Sequence, residues 1–477
     1  MKSPWSLFGA LLFGAAFSTF AQAASFTARK DSLSFPELNG STCAVFHAPL
    51  RAPGPQTGGS PETVDLFVRK FPAHGHAKGS LWLISGGPGE SGSTFYPFLK
   101  TLRAAFPDFD LLVPDHRGTG FSTRLCIKEE SAGSPGGTAL VGEEWGTCWA
   151  SLNAASDYAR SFSVTNAAFD LADLIAQYHG RVPTYVYGVS YGTQLVSRML
   201  LLPHAHLDGV ILDSLVAPDG STTFDLSHRS QIVDAVGRKI LDQCDAEPAC
   251  RGLFDTTAED AYRKLPASPP PGILDQVPGK NIQQFFGGLL DFPSVRARIP
   301  NLIAALNRGD TAELRLVNAS IGRIGTILEQ YPQAPPSIPL VSIISVAEND
   351  ARPEMTTDEV AKEAQGMLFA SSLPTLLVNP GLPLYPRDVY YNAAPKSLPR
   401  ILVLRGTLDP KTPLDGATAR IAQWHDAGRT RLVSLTGSPH FILMTSPICF
   451  KDAVNEFLAD KKSTLTSCTH PEFRPSF

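Results

Sequence analysis

The sequence predicts an α/β fold in which helices cover both faces of a mostly parallel sheet. Short apolar runs with the length of buried strands alternate with helical segments from residue 80 to 215. The alternation stops near residue 218 and resumes at residue 400. The chain of 477 residues is 43% hydrophobic and 18% charged, which is typical of a globular protein with room for a second domain. We therefore divide it into a core over residues 24–217 and 400–477, and a mainly helical cap over residues 218–399.

The first 23 residues have the features of a secretory signal peptide. Lys2 precedes an apolar run from Leu7 to Phe20, and Ala21-Gln22-Ala23 matches a cleavage site of small residues. Because the run is shorter than the roughly 20 residues that a transmembrane helix needs, a retained anchor is the less favoured interpretation. We expect a secreted or periplasmic protein that has no membrane anchor after the signal is removed.

Seven cysteines agree with export to a compartment where thiols pair. Their neighbours along the chain favour three local disulfides: Cys126 with Cys148, Cys244 with Cys250, and Cys449 with Cys468, which leaves Cys43 over. Scattered reduced cysteines are the alternative, since spacing alone does not determine connectivity. No C-x-x-C pair occurs, and we expect neither a metal nor a cofactor. With 41 basic and 45 acidic side chains, the protein lacks the excess of positive charge that nucleic-acid binding requires. The sequence does not predict an oligomeric state.

A glycine-rich turn, Gly86-Gly87-Pro88-Gly89, follows the apolar strand predicted over residues 80–84. Glycine allows the close backbone approach with which N–H groups reach a developing oxyanion. Pro88 has no N–H, so Gly87 is the better donor in this turn, and Tyr191 is its expected partner donor. A tight turn without a chemical role is the alternative interpretation.

Residues 184–193 form the central motif, a β-rich strand that enters the turn Gly188-Val189-Ser190-Tyr191-Gly192 and continues into a helical run. A strained strand-to-helix turn brings neighbouring backbone so close that only small residues fit two positions before and after the serine. The motif therefore predicts a nucleophile elbow that exposes Ser190. An ordinary loop that happens to contain a serine is the alternative.

Two later strands supply an acid and a base. Asp409 follows the strand predicted over residues 400–404, and His440 follows the strand predicted over residues 431–435. A serine hydroxyl needs a histidine to take its proton, and that imidazole needs a carboxylate to orient it. Both residues come after Ser190 in the order that this type of site requires, at the carboxyl ends of their strands. We therefore predict a catalytic triad of Ser190, Asp409 and His440.

Two other histidines compete for the role of base. His116 precedes Ser190 and lies between Asp115 and Arg117, which we interpret as charged residues that tie loops together. We assign His116 the same bracing role because it comes before the nucleophile. His425 is the rival base, and it falls inside a helix predicted over residues 415–427.

Four ordered motifs carry a resemblance to a known family: Gly86-Gly87-Pro88-Gly89, the run from Asp115 to Ser122, the elbow around Ser190, and Leu404-x-Gly406-Thr407-Leu408-Asp409-x-x-Thr412-Pro413. Together they resemble the prolyl iminopeptidase and tripeptidyl aminopeptidase branch of α/β-hydrolases, with the secreted tripeptidyl aminopeptidases as the closer match. The resemblance implies an α/β-hydrolase fold and a serine exopeptidase that acts at the free N-terminus of peptides. Ser190, Asp409 and His440 would form its triad, with Gly87 and Tyr191 as oxyanion donors. The chain departs from the family pattern around His440 and throughout the cap.

An aminopeptidase must hold the protonated amine of its peptide substrate, commonly with a carboxylate. Glu348 and Asp350 in the cap are our first choice for this role, and solvated loop charges are the alternative interpretation. A carboxylesterase or lipase would use the same triad and is the second function to consider. A binding module is disfavoured by the intact set of catalytic residue types. An epoxide hydrolase or dehalogenase would be expected to have aspartate at position 190.

Overall fold

The computed structural model describes residues 26–30, 34–53, 60–131, 134, 145–178, 180, 182–202, 207–460 and 466–469. The predicted signal peptide lies outside these residues. The strands, in chain order, are β1 (Thr42–Pro49), β2 (Thr63–Phe71), β3 (Gly79–Ile84), β4 (Phe109–Pro114), β5 (Thr184–Val189), β6 (Gly209–Asp213), β7 (Arg400–Gly406), β8 (Thr430–Leu435) and β9 (Ser467–Cys468).

These strands form a single sheet with the order β1-β2-β4-β3-β5-β6-β7-β8-β9. The pairs β1 with β2 and β2 with β4 are antiparallel. Every other pair in the sheet is parallel. The predicted mostly parallel sheet, assembled from two separated parts of the chain, is therefore confirmed.

Helices flank the sheet and fill the long connection between β6 and β7. Within the described ranges the α-helices are α1 (Leu99–Ala105), α2 (Gly146–Ala154), α3 (Ser156–Arg160), α4 (Val164–Tyr178), α5 (Tyr191–Met199), α6 (Arg229–Ala246), α7 (Pro248–Arg251), α8 (Ala258–Ala267), α9 (Ile282–Leu289), α10 (Pro293–Arg296), α11 (Ile299–Asn307), α12 (Ala312–Glu329), α13 (Ile338–Asn349), α14 (Thr357–Gln365), α15 (Leu373–Leu377), α16 (Leu414–Ala422), α17 (Ile442–Thr445) and α18 (Pro447–Leu458).

The two faces of the sheet bury separate apolar cores, because successive side chains of a strand point to opposite sides. On β5, Val186 packs with Leu171 of α4 and Leu195 of α5. Its neighbour Tyr187 lies in the other core, with Phe450 of α18. Helices thus cover both faces, as the alternating pattern predicts.

The connection from β6 to β7 has an apolar core of its own. Tyr262, Phe286 and Phe369 pack together there, and the described residues of this connection form helices and no strand. Helix α13 differs from its neighbours because Ile343 and Ile344 belong to a core of the sheet. This region is the predicted cap, whose boundaries at residues 218 and 399 stay a prediction.

The three predicted cysteine pairs, Cys126–Cys148, Cys244–Cys250 and Cys449–Cys468, are disulfides in the structure. Cys43 is buried and takes part in none of them. Across the described ranges, no helix combines the length and the apolar character needed to cross a bilayer.

Candidate active site

Ser190 occupies the junction between β5 and α5 in an unusual backbone conformation, with φ 55° and ψ −125°. A positive φ is costly for a residue with a β-carbon and persists only where the surroundings hold it. The Ser190 N–H donates to the carbonyl oxygen of Asp213 at 3.0 Å, and the Ser190 carbonyl accepts from the Thr193 N–H at 2.8 Å. The turn is therefore fixed from both sides.

The glycines on either side of Ser190 are required by close backbone contacts. A β-carbon built on Gly188 would lie 2.7 Å from the carbonyl oxygen of Gly192. One built on Gly192 would lie 2.4 Å from the carbonyl oxygen of Ile84 and 2.7 Å from that of Ser85. Because these obstacles are backbone atoms, no side-chain rotation relieves them, and the spacing of small residues has a direct steric cause.

Replacing Gly192 with alanine is expected to lower the free energy of unfolding by about 1–3 kcal/mol, the usual cost of overpacking a buried site. Gly322→Ala is the control, because Gly322 is exposed in α12 and its β-carbon would have no neighbour within 4 Å. That variant should be neutral or slightly more stable. Urea unfolding of both proteins measures the difference, and equal stabilities would contradict the close contact at Gly192.

Asp409 and His440 lie in contact at the carboxyl ends of β7 and β8. The distances from Nδ1 of His440 to Oδ2 and Oδ1 of Asp409 are 2.9 and 3.1 Å. Oδ1 also accepts from the N–H groups of Lys411 and Thr412 at 2.8 and 2.9 Å. Burial alone would raise the pKa of Asp409, but the charge and hydrogen bond of His440, together with Arg405 and the Thr412 N–H, hold this pKa below its ordinary value. The carboxylate is thus kept charged beside the imidazole.

The turn after His440 is held by the end of β6. The carboxylate of Asp213 accepts from the N–H groups of Ile442 and Leu443, each at 2.9 Å. The Ser214 hydroxyl accepts from the N–H of Phe441 at 2.9 Å. Sequence reasoning missed this supporting role of Asp213 and Ser214, and their position directly after a predicted core strand is the signal that could have indicated it.

The glycine-rich turn after β3 packs directly against Ser190. Gly87 has φ 107°, and a β-carbon on Gly86 would lie 3.1 Å from Cβ of Ser190. The turn is braced by the Ser337 N–H, which donates to the Gly89 carbonyl oxygen at 3.0 Å just before α13. Gly87 and Tyr191, the predicted oxyanion donors, both border a small cavity at Ser190. The structure thus brings these two residues to the serine, and their chemical role stays a prediction.

Two adjoining cavities meet at Ser190, with volumes of about 320 and 60 Å³. His440 borders the larger cavity, and Tyr191 borders the smaller one. Part of the wall comes from the helical connection, including Phe292, Val341, Ser345 and Leu373. Four charged side chains that the sequence did not indicate also line the larger cavity: Glu90, Arg229, Asp291 and Lys411.

Two of these charges form a pair, since Lys411 Nζ lies 3.0 Å from Oδ2 of Asp291. The Glu90 side chain is solvent-accessible and lines the larger cavity. Surrounding protein raises the pKa of Glu90, and the nearby positive charges of Lys411 and His440 oppose this effect. The space beside Ser190 therefore contains charged groups of both signs.

Comparison with known proteins identifies the family. A family model described as "alpha/beta hydrolase fold" matches residues 79–447, which is most of the chain. The chain belongs to the α/β-hydrolase family. No curated protein matches it.

Solved structures that resemble this α/β-hydrolase are distant. They include a thermophilic esterase from Thermogutta terrifontis, at 16% identity over 87% of this chain and 98% of that one, with a TM-score of 0.37. An esterase from Exiguobacterium antarcticum is 13% identical over 83% of this chain and 96% of that one, with a TM-score of 0.36. A hydrolase from Pseudomonas aeruginosa is 14% identical over 92% of this chain and 99% of that one, also with a TM-score of 0.36. At these scores the neighbours carry no argument about activity.

Neither rival histidine of the α/β-hydrolase borders these cavities. His116 is buried, with Nδ1 3.3 Å from the Arg117 carbonyl oxygen, and burial lowers its pKa to about 4. His425 is exposed in a turn, because α16 ends at Ala422. The prediction that this helix extends to residue 427 is therefore wrong, because it ends five residues earlier. The chain leaves the helix just before Trp424, whose side chain is buried in a core of the sheet.

The charged residues around His116 tie loops together, in agreement with their predicted structural role. The Asp115 carboxylate accepts from the N–H groups of Gly92 and Phe121 at 2.7 and 2.8 Å. Burial is the main cause that raises the pKa of Asp115 to about 6. Arg117 forms two hydrogen bonds with Asp170, each of 2.6 Å.

The two cap acids proposed to bind the substrate amine each have a partner within the protein. Glu348 is buried, and its Oε2 is 2.9 Å from Nη2 of Arg198. Asp350 accepts from the Arg352 N–H at 2.9 Å and borders a different cavity. Among the described residues, neither acid lines the two cavities at Ser190. Their amine-binding role stays a prediction. The described residues also contain no group of three or more His, Cys, Asp or Glu side chains placed to hold a metal ion.

Proposed function

We propose that the protein is a secreted serine exopeptidase that cleaves peptides near their free N-terminus through an acyl-enzyme on Ser190. The observation that carries this proposal is the contact between Asp409 and His440 at the same sheet edge as the strained turn of Ser190. Ser190 and His440 border one cavity, so a substrate there can meet both groups. Nucleophile, base and orienting acid are the parts that acyl transfer needs.

In the proposed mechanism, Asp409 accepts a hydrogen bond from Nδ1 of His440 and so leaves Nε2 free to take the proton of the Ser190 hydroxyl. The serine oxygen attacks the scissile carbonyl carbon, and the N–H groups of Gly87 and Tyr191 stabilise the negative oxygen that forms. His440 then gives its proton to the leaving amine. A water molecule then gives a proton to His440 and attacks the acyl carbon, and His440 returns the proton to the oxygen of Ser190 as the acyl group leaves.

Three observations support the finer parts of the proposal. The four motifs described above resemble secreted aminopeptidases, and the cavity is lined by the carboxyl group of Glu90, which suits a substrate ammonium group. Three disulfides support export, because disulfides persist in oxidising compartments.

The substrate class is tested with matched amides of di-, tri- and tetrapeptides, each with a free or an N-acetylated N-terminus, and with simple fatty esters. Products are identified by mass spectrometry. We expect kcat/KM for free peptides to exceed that for acetylated peptides by about 100-fold, because acetylation removes a charged hydrogen-bonding group. A preference for fatty esters, or equal values for free and acetylated peptides, would contradict an aminopeptidase.

The carboxylate that holds the amine is identified by amide variants in the same assay. Glu348→Gln and Asp350→Asn test the two acids chosen from the sequence, and Glu90→Gln tests the acid that lines the cavity. The variant of the true amine-binding residue should lose kcat/KM for free peptides and keep its rate on acetylated ones. A variant that keeps the wild-type preference for free over acetylated peptides shows that the replaced residue does not bind the amine.

A further inference from the structure

Arg229 is a buried cation beside the candidate nucleophile, and its guanidinium group has no partner among the described residues. It is the first residue of α6, and its side chain borders both cavities that meet at Ser190. The residue is 8% exposed, and its Nε is buried without a hydrogen bond. Over the described part of the chain, none of its side-chain nitrogen atoms makes a hydrogen bond or an ion pair. A guanidinium group in such a position costs free energy unless an anion compensates it.

The carboxylates nearest to Arg229 are already engaged elsewhere. Asp291 pairs with Lys411, and Asp409 pairs with His440. Asp225 lies 2.5 Å from Nδ1 of His228, and it also accepts from the Ser227 N–H at 3.0 Å. Each of these acids therefore has its own cation or donor, which leaves the charge of Arg229 available to a ligand. Arginine keeps its proton in proteins and presents a fork of donors that matches a carboxylate.

The two cavities that Arg229 borders differ in whether His440 lines them. In acyl transfer the leaving group must lie at the histidine that protonates it, whereas the acyl group extends away from that histidine. The smaller cavity is bordered by Ser190, Tyr191 and Arg229, and His440 does not line it. Arg229 borders this cavity as well as the larger one, so a carboxylate of an acyl part that extends into the smaller cavity would lie beside its guanidinium group.

We infer that Arg229 binds a carboxylate in the acyl part of the substrate, so that the enzyme prefers acyl groups with an acidic side chain. The inference rests on the proposed function only in that Ser190 is taken as the nucleophile. For a peptidase, the preferred substrates would be peptides with Asp or Glu in the residues released from the N-terminus. For an esterase, the same residue would select monoesters of dicarboxylic acids.

The test uses two activated esters that differ in one charge: mono-4-nitrophenyl glutarate and its methyl ester. Activated esters report the acyl preference whether or not the enzyme cleaves peptides, so failure of this inference is distinguishable from failure of the peptidase proposal. We expect wild-type kcat/KM to favour the carboxylate by about 10- to 100-fold, the usual worth of a charged hydrogen bond. No preference for the carboxylate overturns the inference, whatever the behaviour of the variants.

The variants Arg229→Gln and Arg229→Lys then assign the preference to this residue. Arg229→Gln should bring the ratio of the two esters close to one, because its loss of kcat/KM should fall mainly on the ester that carries the carboxylate. Arg229→Lys, which keeps the charge, should retain part of the preference. Equal losses on both esters would show that Arg229 acts on the oxyanion or on folding, and would overturn the inference.

The side of the substrate is tested by moving the charge to the leaving group. The acetate ester of 4-hydroxybenzoate is compared with the acetate ester of methyl 4-hydroxybenzoate. We expect Arg229→Gln to leave the ratio of these two substrates unchanged. A selective loss on the acidic leaving group would place the carboxylate on the other side of Ser190 and overturn the assignment to the acyl part.

Discussion

The variants Ser190→Ala and His440→Ala are each expected to lower kcat by about 10⁶-fold, and the double variant is expected to lower it no further. The two side chains act as one unit, because the hydroxyl is a nucleophile only while the imidazole can take its proton. Single-turnover assays on an activated ester, at enzyme concentrations high enough to detect the residual rate, measure all three proteins. Losses that multiply in the double variant would mean that the residues act independently.

The matched control for this experiment is His425→Ala. His425 is another histidine in the C-terminal part of the core, and it is exposed on a turn. Its replacement should leave kcat within twofold of wild type. A loss of kcat comparable to that of His440→Ala would indicate that His425 is the base. It would contradict the assignment of this role to His440, which rests on its contact with Asp409.

Asp409→Asn is expected to lower kcat by about 10⁴-fold while the protein still folds. The asparagine can still accept from the N–H groups of Lys411 and Thr412, but its uncharged amide no longer stabilises the imidazolium or fixes the tautomer of His440. Asp415→Asn is the control, since Asp415 is an exposed residue in the first turn of α16. A wild-type rate in Asp409→Asn would assign the orienting acid elsewhere, and Asp213 would be the next residue to test.

The lowered pKa of Asp409 also predicts how the stability difference between wild type and Asp409→Asn depends on pH. A carboxylate whose pKa is lower in the folded than in the unfolded protein stabilises the fold above its ordinary pKa, and this stabilisation is lost as the pH falls towards the folded value. The difference in unfolding free energy between wild type and Asp409→Asn should therefore shrink as the pH falls below about 4, the ordinary pKa of an aspartate. A difference that grew on acidification would contradict the direction of the shift.

The strands and the order of the site residues could be predicted from the sequence because both depend on local patterns. The apolar runs at residues 80–84 and 400–404 became β3 and β7 with end shifts of one or two residues. Ser190, Asp409 and His440 each stand just after such a run, so the topology of a parallel sheet was enough to place them at one edge.

Contacts between distant parts of the chain could not be predicted in the same way. Glu348 was chosen as a free carboxylate, but the structure pairs it with Arg198, which is 150 positions away in sequence. Arg229 belongs to no motif, and only the folded cavity shows that it borders Ser190 with a guanidinium group that has no partner in the described part of the chain. The end of α16 was misjudged because the burial of Trp424 in a core of the sheet is a tertiary requirement.

The pairing of β6 with β7 has a consequence for how the chain must fold. Between Asp213 and Arg400 the ribosome adds the whole helical connection, and until then the backbone edge of β6 has no neighbour on that side. An apolar strand with an open edge is a template for association with other chains. The edge of β6 therefore needs protection during a long interval of synthesis, which ends when β7 is made and pairs with it.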